Sequence, residues 1–115
     1  MSQIRLSAGL WVDALVRRAS VAGASAFIVQ KGDAERGDVL VKLAHLDRTA
    51  RLFAPSMDLE GNRIFLDLVV QGVGPDETEI DAYIERARAR DGDLWVVEIE
   101  DREGRHFLIE AVKSS

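Results

Sequence analysis

The 115-residue sequence predicts an α+β fold: a mainly antiparallel sheet of about five or six strands, covered by two helices. Two stretches carry apolar residues at helical spacing, one with Trp11, Val12, Leu15, Ala19 and Ala22, the other with Ile80, Tyr83, Ile84 and Ala87. Each stripe is wide enough for one buried face. Around them run short apolar or alternating segments separated by turn residues, the pattern of strands. The order is helix, four strands, helix, two strands, and a chain of this length buries enough surface to form one domain over residues 1–115.

Residues 3–6 read as a short strand, and Ser7 stands where an N-cap hydroxyl would accept an orphan amide. A helix from about Ala8 to Ala22 follows, with Gly23 as its stop. Strands are expected over Ala26–Gln30, Val39–Leu46, Ala50–Ala54, Ile64–Val70, Leu94–Glu100 and Phe107–Val112. The breaks between them are short and turn-rich, which favours antiparallel neighbours. The second helix, about Glu77–Arg90, has the clearest local signals: Asp76 and Glu79 at capping-box spacing, and Arg86, Arg88 and Arg90 in its last turns before Gly92. The final two strands can be registered. A three-residue loop, Arg102 to Gly104 with Gly104 left-handed, sets Asp101 opposite Arg105 and Ile99 opposite Phe107. Trp95, Val97, Ile99, Phe107, Ile109 and Ala111 then share one face, and Glu98, Glu100, His106 and Glu110 share the other.

Composition narrows the function classes. The chain has no cysteine, so it has no disulfide framework, thiolate metal site or cysteine nucleophile, and the cytoplasm is the expected compartment. The first apolar-rich stretch contains Asp13, Arg17 and Arg18, which does not suit a signal peptide. No run approaches the roughly 20 apolar residues of a membrane span. Net charge is −5; residues 1–57 carry 8 basic against 5 acidic side chains, and the remainder 7 against 15. A protein of this balance repels a phosphate backbone, so neither nucleic acid nor a membrane is an expected partner.

Local motifs add little chemistry. Lys31-Gly-Asp-Ala-Glu-Arg-Gly-Asp has the glycines of a phosphate loop, but Val39-Leu-Val follows as a strand and its three carboxylates oppose an anion. Gly32 and Gly37 read instead as turn positions that accept positive φ. The element order resembles the core of metal-dependent nucleases, yet Leu40 occupies the position two before Lys42 where those enzymes need an acid. No serine stands between the flanking glycines of a nucleophile elbow. Trp11 and Trp95 fall on core stripes and are expected to be buried.

Two surfaces remain. Glu98, Glu100, His106 and Glu110, on the outer face of the final hairpin, are the candidate ligands for a divalent ion or for acid–base work, although such a face is more commonly a solvated strand surface. Leu10, Val16 and Val21 lie off the main stripe of the first helix, and Arg17 and Arg18 adjoin them as a rim. An interaction or self-associating module is therefore expected, without a cofactor and with a protein or a second copy as partner. A small-molecule or divalent-metal enzyme built on the acidic and histidine face is the alternative.

Arg5-Leu-Ser-Ala-Gly-Leu-Trp-Val, the Arg17-Arg18 pair, the Lys31-Gly-Asp turn before Val39-Leu-Val-Lys-Leu, and Leu94-Trp-Val-Val-Glu-Ile-Glu-Asp-Arg together resemble the domain-of-unknown-function 1491 family of small alphaproteobacterial proteins. The resemblance covers essentially the whole chain. It implies source and single-domain architecture and carries over no functional residue.

Overall fold

The computed structural model describes residues 6–113. Of the strand expected over residues 3–6, positions 3–5 lie outside the described residues and Leu6 is irregular. Helix α1 (Ala8–Val21) begins at Ser7, whose hydroxyl accepts the Leu10 amide. The amides of Ala8 and Gly9 donate to the carbonyls of Glu35 and Ala34, so the loop after the first strand completes the cap. The strands follow as β1 (Ser25–Gln30), β2 (Val39–Ala44), β3 (Ala50–Met57) and β4 (Arg63–Asp67). Helix α2 (Glu77–Arg90) is next, then β5 (Trp95–Glu100) and β6 (Val112–Lys113). Asp76 caps α2 through Thr78, while Glu79 reaches the Gly74 amide rather than closing the capping box on Asp76.

The fold is α+β, and its six strands form one mixed sheet in the order β1-β5-β2-β3-β4-β6. β1–β5, β2–β3 and β3–β4 are antiparallel; β2–β5 and β4–β6 are parallel. Each helix covers its own face. Trp11, Val12 and Leu15 of α1 pack on Val41, Phe53, Phe65 and Val97, whereas Ile80 and Ile84 of α2 pack on Leu40, Leu52 and Val96. Full burial of side chains of this size stabilises the fold by about 1.5–3 kcal/mol each.

The final hairpin is absent. Gly104 does take a left-handed conformation, φ 72, and its amide closes a turn onto the Asp101 carbonyl. Both edges of β5 are already occupied, Ile99 standing beside Ala26 of β1 and Leu43 of β2, so the returning chain finds no free edge there. The segment after Gly104 crosses the α1 side of the sheet instead, buries Leu108, and reaches β4, where the Phe65 amide donates to the Ala111 carbonyl and β6 pairs in parallel.

The loop from Lys31 to Asp38 is a turn, but its glycines serve a different purpose from the expected one. Neither Gly32 nor Gly37 is among the positive-φ residues. A Cβ on either would collide with the Asp93 carbonyl oxygen and the Trp95 ring. They are needed for close approach: the loop lies flat on β5, and Trp95 Nε1 donates to the Asp33 carbonyl at 2.7 Å.

Candidate functional site

The four residues expected to share an outer face are divided between the two faces of the sheet. Glu98 lies on the α2 side beside Lys42, and Glu100 ends the same strand opposite Ser25 and Ala44. On the α1 side, His106 packs edge-on against Phe53 with ring centroids 5.3 Å apart, and its Nδ1 accepts the Leu108 amide. Burial lowers the His106 pKa, partly offset by the charge of Asp67. Glu110 accepts a 2.6 Å hydrogen bond from Trp11 Nε1. Among the described residues no group of three His, Cys, Asp or Glu side chains is placed to hold a metal ion. Both tryptophans are buried, Trp11 stacked on Phe65.

A charged cluster that sequence reading missed lies in the middle of the sheet. Lys42 is only 4% exposed, yet its Nζ is 2.7 Å from Glu77 and from Asp81 and 3.3 Å from Glu98. Burial is the largest single influence on this ammonium and would lower its pKa, but the hydrogen bonds to Asp81 and Glu77 and the charges of Glu98 and Asp81 outweigh it and raise the pKa. Glu98 is pushed upward by burial, with Lys42 opposing. A lysine held cationic is neither a nucleophile nor a base; this one fastens the first turns of α2 to β2 and β5. The signal was present in Val39-Leu-Val-Lys-Leu-Ala: a lysine inside a fully buried run must have partners.

Of the five residues expected at an interface, the structure leaves three at the surface. Leu10 is 59% and Val21 81% exposed, and Arg17 is exposed between them on the same line of the helix. Val16 instead packs against the α1-side core, and Arg18 Nε donates to the Phe107 carbonyl at 3.0 Å.

Beside α1 runs the open edge of the sheet. β1 reads Ser-Ala-Phe-Ile-Val-Gln without a charge, and Phe27, Ile28 and Val29 are 44, 42 and 38% exposed. The Trp95 amide donates to Asp38 and the Asp101 amide to Ala44, so odd-numbered backbone groups of β5 face β2 and even-numbered ones face β1. Ser25 and Phe27, opposite Glu100 and Glu98, therefore direct their N–H and C=O groups inward. Those of Ala26 and Ile28 point out to the free edge. A bulge follows, with no β5 partner for Val29 and Gln30 opposite Val96.

A cleft of about 700 Å³ opens at the start of α1, lined by Leu6, Glu35, Arg36, Pro55, Met57 and Arg63 among others. Pro55 makes it: the β2–β3 register stops at Val41 and Phe53, because the next residue on β3 to face β2 is this proline, which has no amide to donate. The volume lies in the range of small-ligand sites, roughly 300–1,000 Å³.

Comparison with known proteins settles the family. The model of a family described as protein of unknown function (DUF1491) matches residues 6–109. The chain belongs to the DUF1491 family. Two structures of DUF1491 family proteins from Caulobacter crescentus CB15 resemble it, each at 47% identity. The crystal structure has a TM-score of 0.87 and covers 95% of this chain and 100% of that one. The NMR structure has a TM-score of 0.84 and covers 97% and 100%. The solution structure of a protein from A. tumefaciens is 31% identical over 96% of this chain and 98% of that one, with a TM-score of 0.76. No curated protein matches. Membership in the DUF1491 family brings no activity with it.

Proposed function

We propose that this DUF1491 chain is a protein-interaction module of the cytoplasm that docks through the β1 edge and the adjoining end of α1. The observation that carries the reading is an edge strand with free backbone groups at Ala26 and Ile28, three consecutive exposed apolar side chains and no charge. Sheet proteins ordinarily blunt such an edge with lysine, proline or a covering segment, because it templates pairing with another strand. Among the described residues only the bulge limits it. The test is affinity capture from cell lysate with the wild-type chain and with Ile28→Pro, which removes an outward N–H and leaves the β5 ladder intact. The reading expects partners retained by the wild type and lost with the variant; identical capture by both removes it.

A second reading is favoured by the cleft at the start of α1, where Arg36 and Arg63 form no ion pair among the described residues. It would take a small organic anion at the two arginines, with the Glu35 and Asp38 carboxylates of the cleft opposing it. Thermal-shift screening against carboxylates and phosphates should then raise the melting temperature, and Arg63→Gln should abolish the rise; a panel without effect removes this reading.

A further inference from the structure

We propose that the occupant of the β1 edge is a second copy of this chain, paired antiparallel to β1 about a two-fold axis at Phe27, so that the two sheets become one. The inference rests on the docking reading above and names its partner.

The backbone chooses the register. An antiparallel strand pair related by a two-fold axis perpendicular to the sheet keeps like faces together, so the axis must pass through a residue that stands opposite itself. Three such positions are available. An axis at Ala26 sets Ile28 against Ala24 of the second copy, whose amide is already donated to the Ala19 carbonyl of its own helix. An axis at Ile28 sets Ala26 opposite Gln30 of the second copy, and Gln30 is turned inward beyond the bulge. An axis at Phe27 sets Ala26 opposite Ile28 of the second copy and Ile28 opposite its Ala26. The free N–H and C=O groups of both residues in both copies then pair with one another.

Side chains and charge agree with that choice. Phe27 sits opposite Glu98 and so lies on the α2 face, whereas Ala26 packs on the α1-side core. At the axis the two Phe27 rings meet in a non-hydrogen-bonded pair, the closer kind of cross-strand neighbour, where aromatic pairs are favourable. Nothing between Ser25 and Gln30 repels its own image. The same register carries Lys31 toward Gly23 of the second copy, where α1 ends. A helix C-terminus presents partial negative charge and favours a cation there. Only Arg18 supplies a basic residue in the last turn of α1, and its Nε is engaged with Phe107. Val21, at the same helix end, gains cover from the approaching strand.

The absence of native cysteine makes the test direct. A non-hydrogen-bonded antiparallel pair has Cα atoms about 4.5 Å apart, and disulfides accept roughly 4.4–6.8 Å. Phe27→Cys should therefore convert to a disulfide-linked dimer under mild oxidation, at least tenfold faster than Ser20→Cys on the exposed side of α1. By sedimentation the wild type should show twice the chain mass of 12.7 kDa, returning to that mass with Ile28→Pro, whose fold is checked by circular dichroism. A wild-type monomer at all concentrations, or a dimer in which Phe27→Cys links no faster than Ser20→Cys, overturns the proposal. In either case edge-dependent capture from lysate still decides the docking reading by itself: if capture survives, only the second copy is wrong, and if it fails too, both are.

Discussion

On one side the sheet ends at β1, six residues without a charge, whose outward backbone groups have no partner among the described residues. On the other it ends at β6, two residues laid along β4 by a segment that the chain itself pulls across the α1 face. That segment is pinned repeatedly: Arg105 grips Asp101, Arg18 holds the Phe107 carbonyl, Leu108 is buried, and Trp11 donates to Glu110. The contrast separates two ways of finishing a sheet. The β4 edge is closed by tertiary contacts of the same chain, while β1 has, among the described residues, a bulge as its only guard.

The strongest way to break the contrast is to open the closed edge. Trp11→Ala removes a buried ring stacked on Phe65 and the donor that holds Glu110. The expected loss is about 3–5 kcal/mol in chemical denaturation, the usual range for large-to-small core changes at tryptophan. Exchange of the Phe65 amide, which donates to Ala111, should quicken more than that of the β5 amides. Equal acceleration throughout would mean that the segment does not close β4 independently.

A smaller loss is expected midway between the edges. Lys42→Met leaves Glu77, Asp81 and Glu98 without their shared cation. Stranding a buried charge costs about 3–5 kcal/mol; because Glu77 and Asp81 keep access to water, about 2–3 kcal/mol is expected. Burial already raises the Glu98 pKa, so the variant should recover stability as pH falls and Glu98 takes up a proton. A loss independent of pH would show that Glu98 does not feel the ammonium.

On the open side, Gly37→Ala should destabilise by about 1–3 kcal/mol, as overpacking does, since its Cβ meets the Asp93 carbonyl and the Trp95 ring. Gly23→Ala, where no atom lies within 4 Å but φ is +91, should act only through backbone strain. Unchanged thermal stability of Gly37→Ala would contradict the close-approach account of the Lys31–Asp38 loop.

What could be read in advance follows the range of the forces involved. The second helix declares itself through Asp76, its apolar stripe and its terminal arginines, all within a few residues of one another. The turn at Gly104 was equally local and was also legible. What Phe107–Val112 would pair with was not, because that depends on whether β5 has a free edge, and β1 and β2 both arrive from far along the chain. The evidence lay in β5 itself: Leu94-Trp-Val-Val is a continuous apolar run, which suits an interior strand covered on both faces better than a hairpin with one wet face. With the hairpin went the grouping of Glu98 with His106 and Glu110. Lys42 shows the same limit, since its carboxylates come from α2 and β5.

The smallest expected effect tests the first pin of the closed edge by pH. Asp101 accepts from the Arg105 amide and guanidinium, and the side-chain bond, followed by the backbone bonds, holds its pKa at about 2, below the ordinary 3.8. For an acid with a depressed folded-state pKa, the stabilisation is complete above the unfolded value. It is lost as pH falls from about 4 through about 2. Arg105 is largely open to water, so the contribution is modest and salt should weaken it. Wild-type stability should thus decline across that interval more steeply than that of Asp101→Asn, which cannot titrate there, and added salt should narrow the difference. Exchange at the Arg105 amide, which donates to Asp101, should quicken over the same pH range, after correction for its intrinsic dependence, because the turn that launches the segment loosens first. If the two proteins lose stability in parallel between pH 4 and pH 2, the Asp101–Arg105 pair does not hold the start of the segment, and closure of the β4 edge rests on Arg18, Trp11, Leu108 and the β6 pairing.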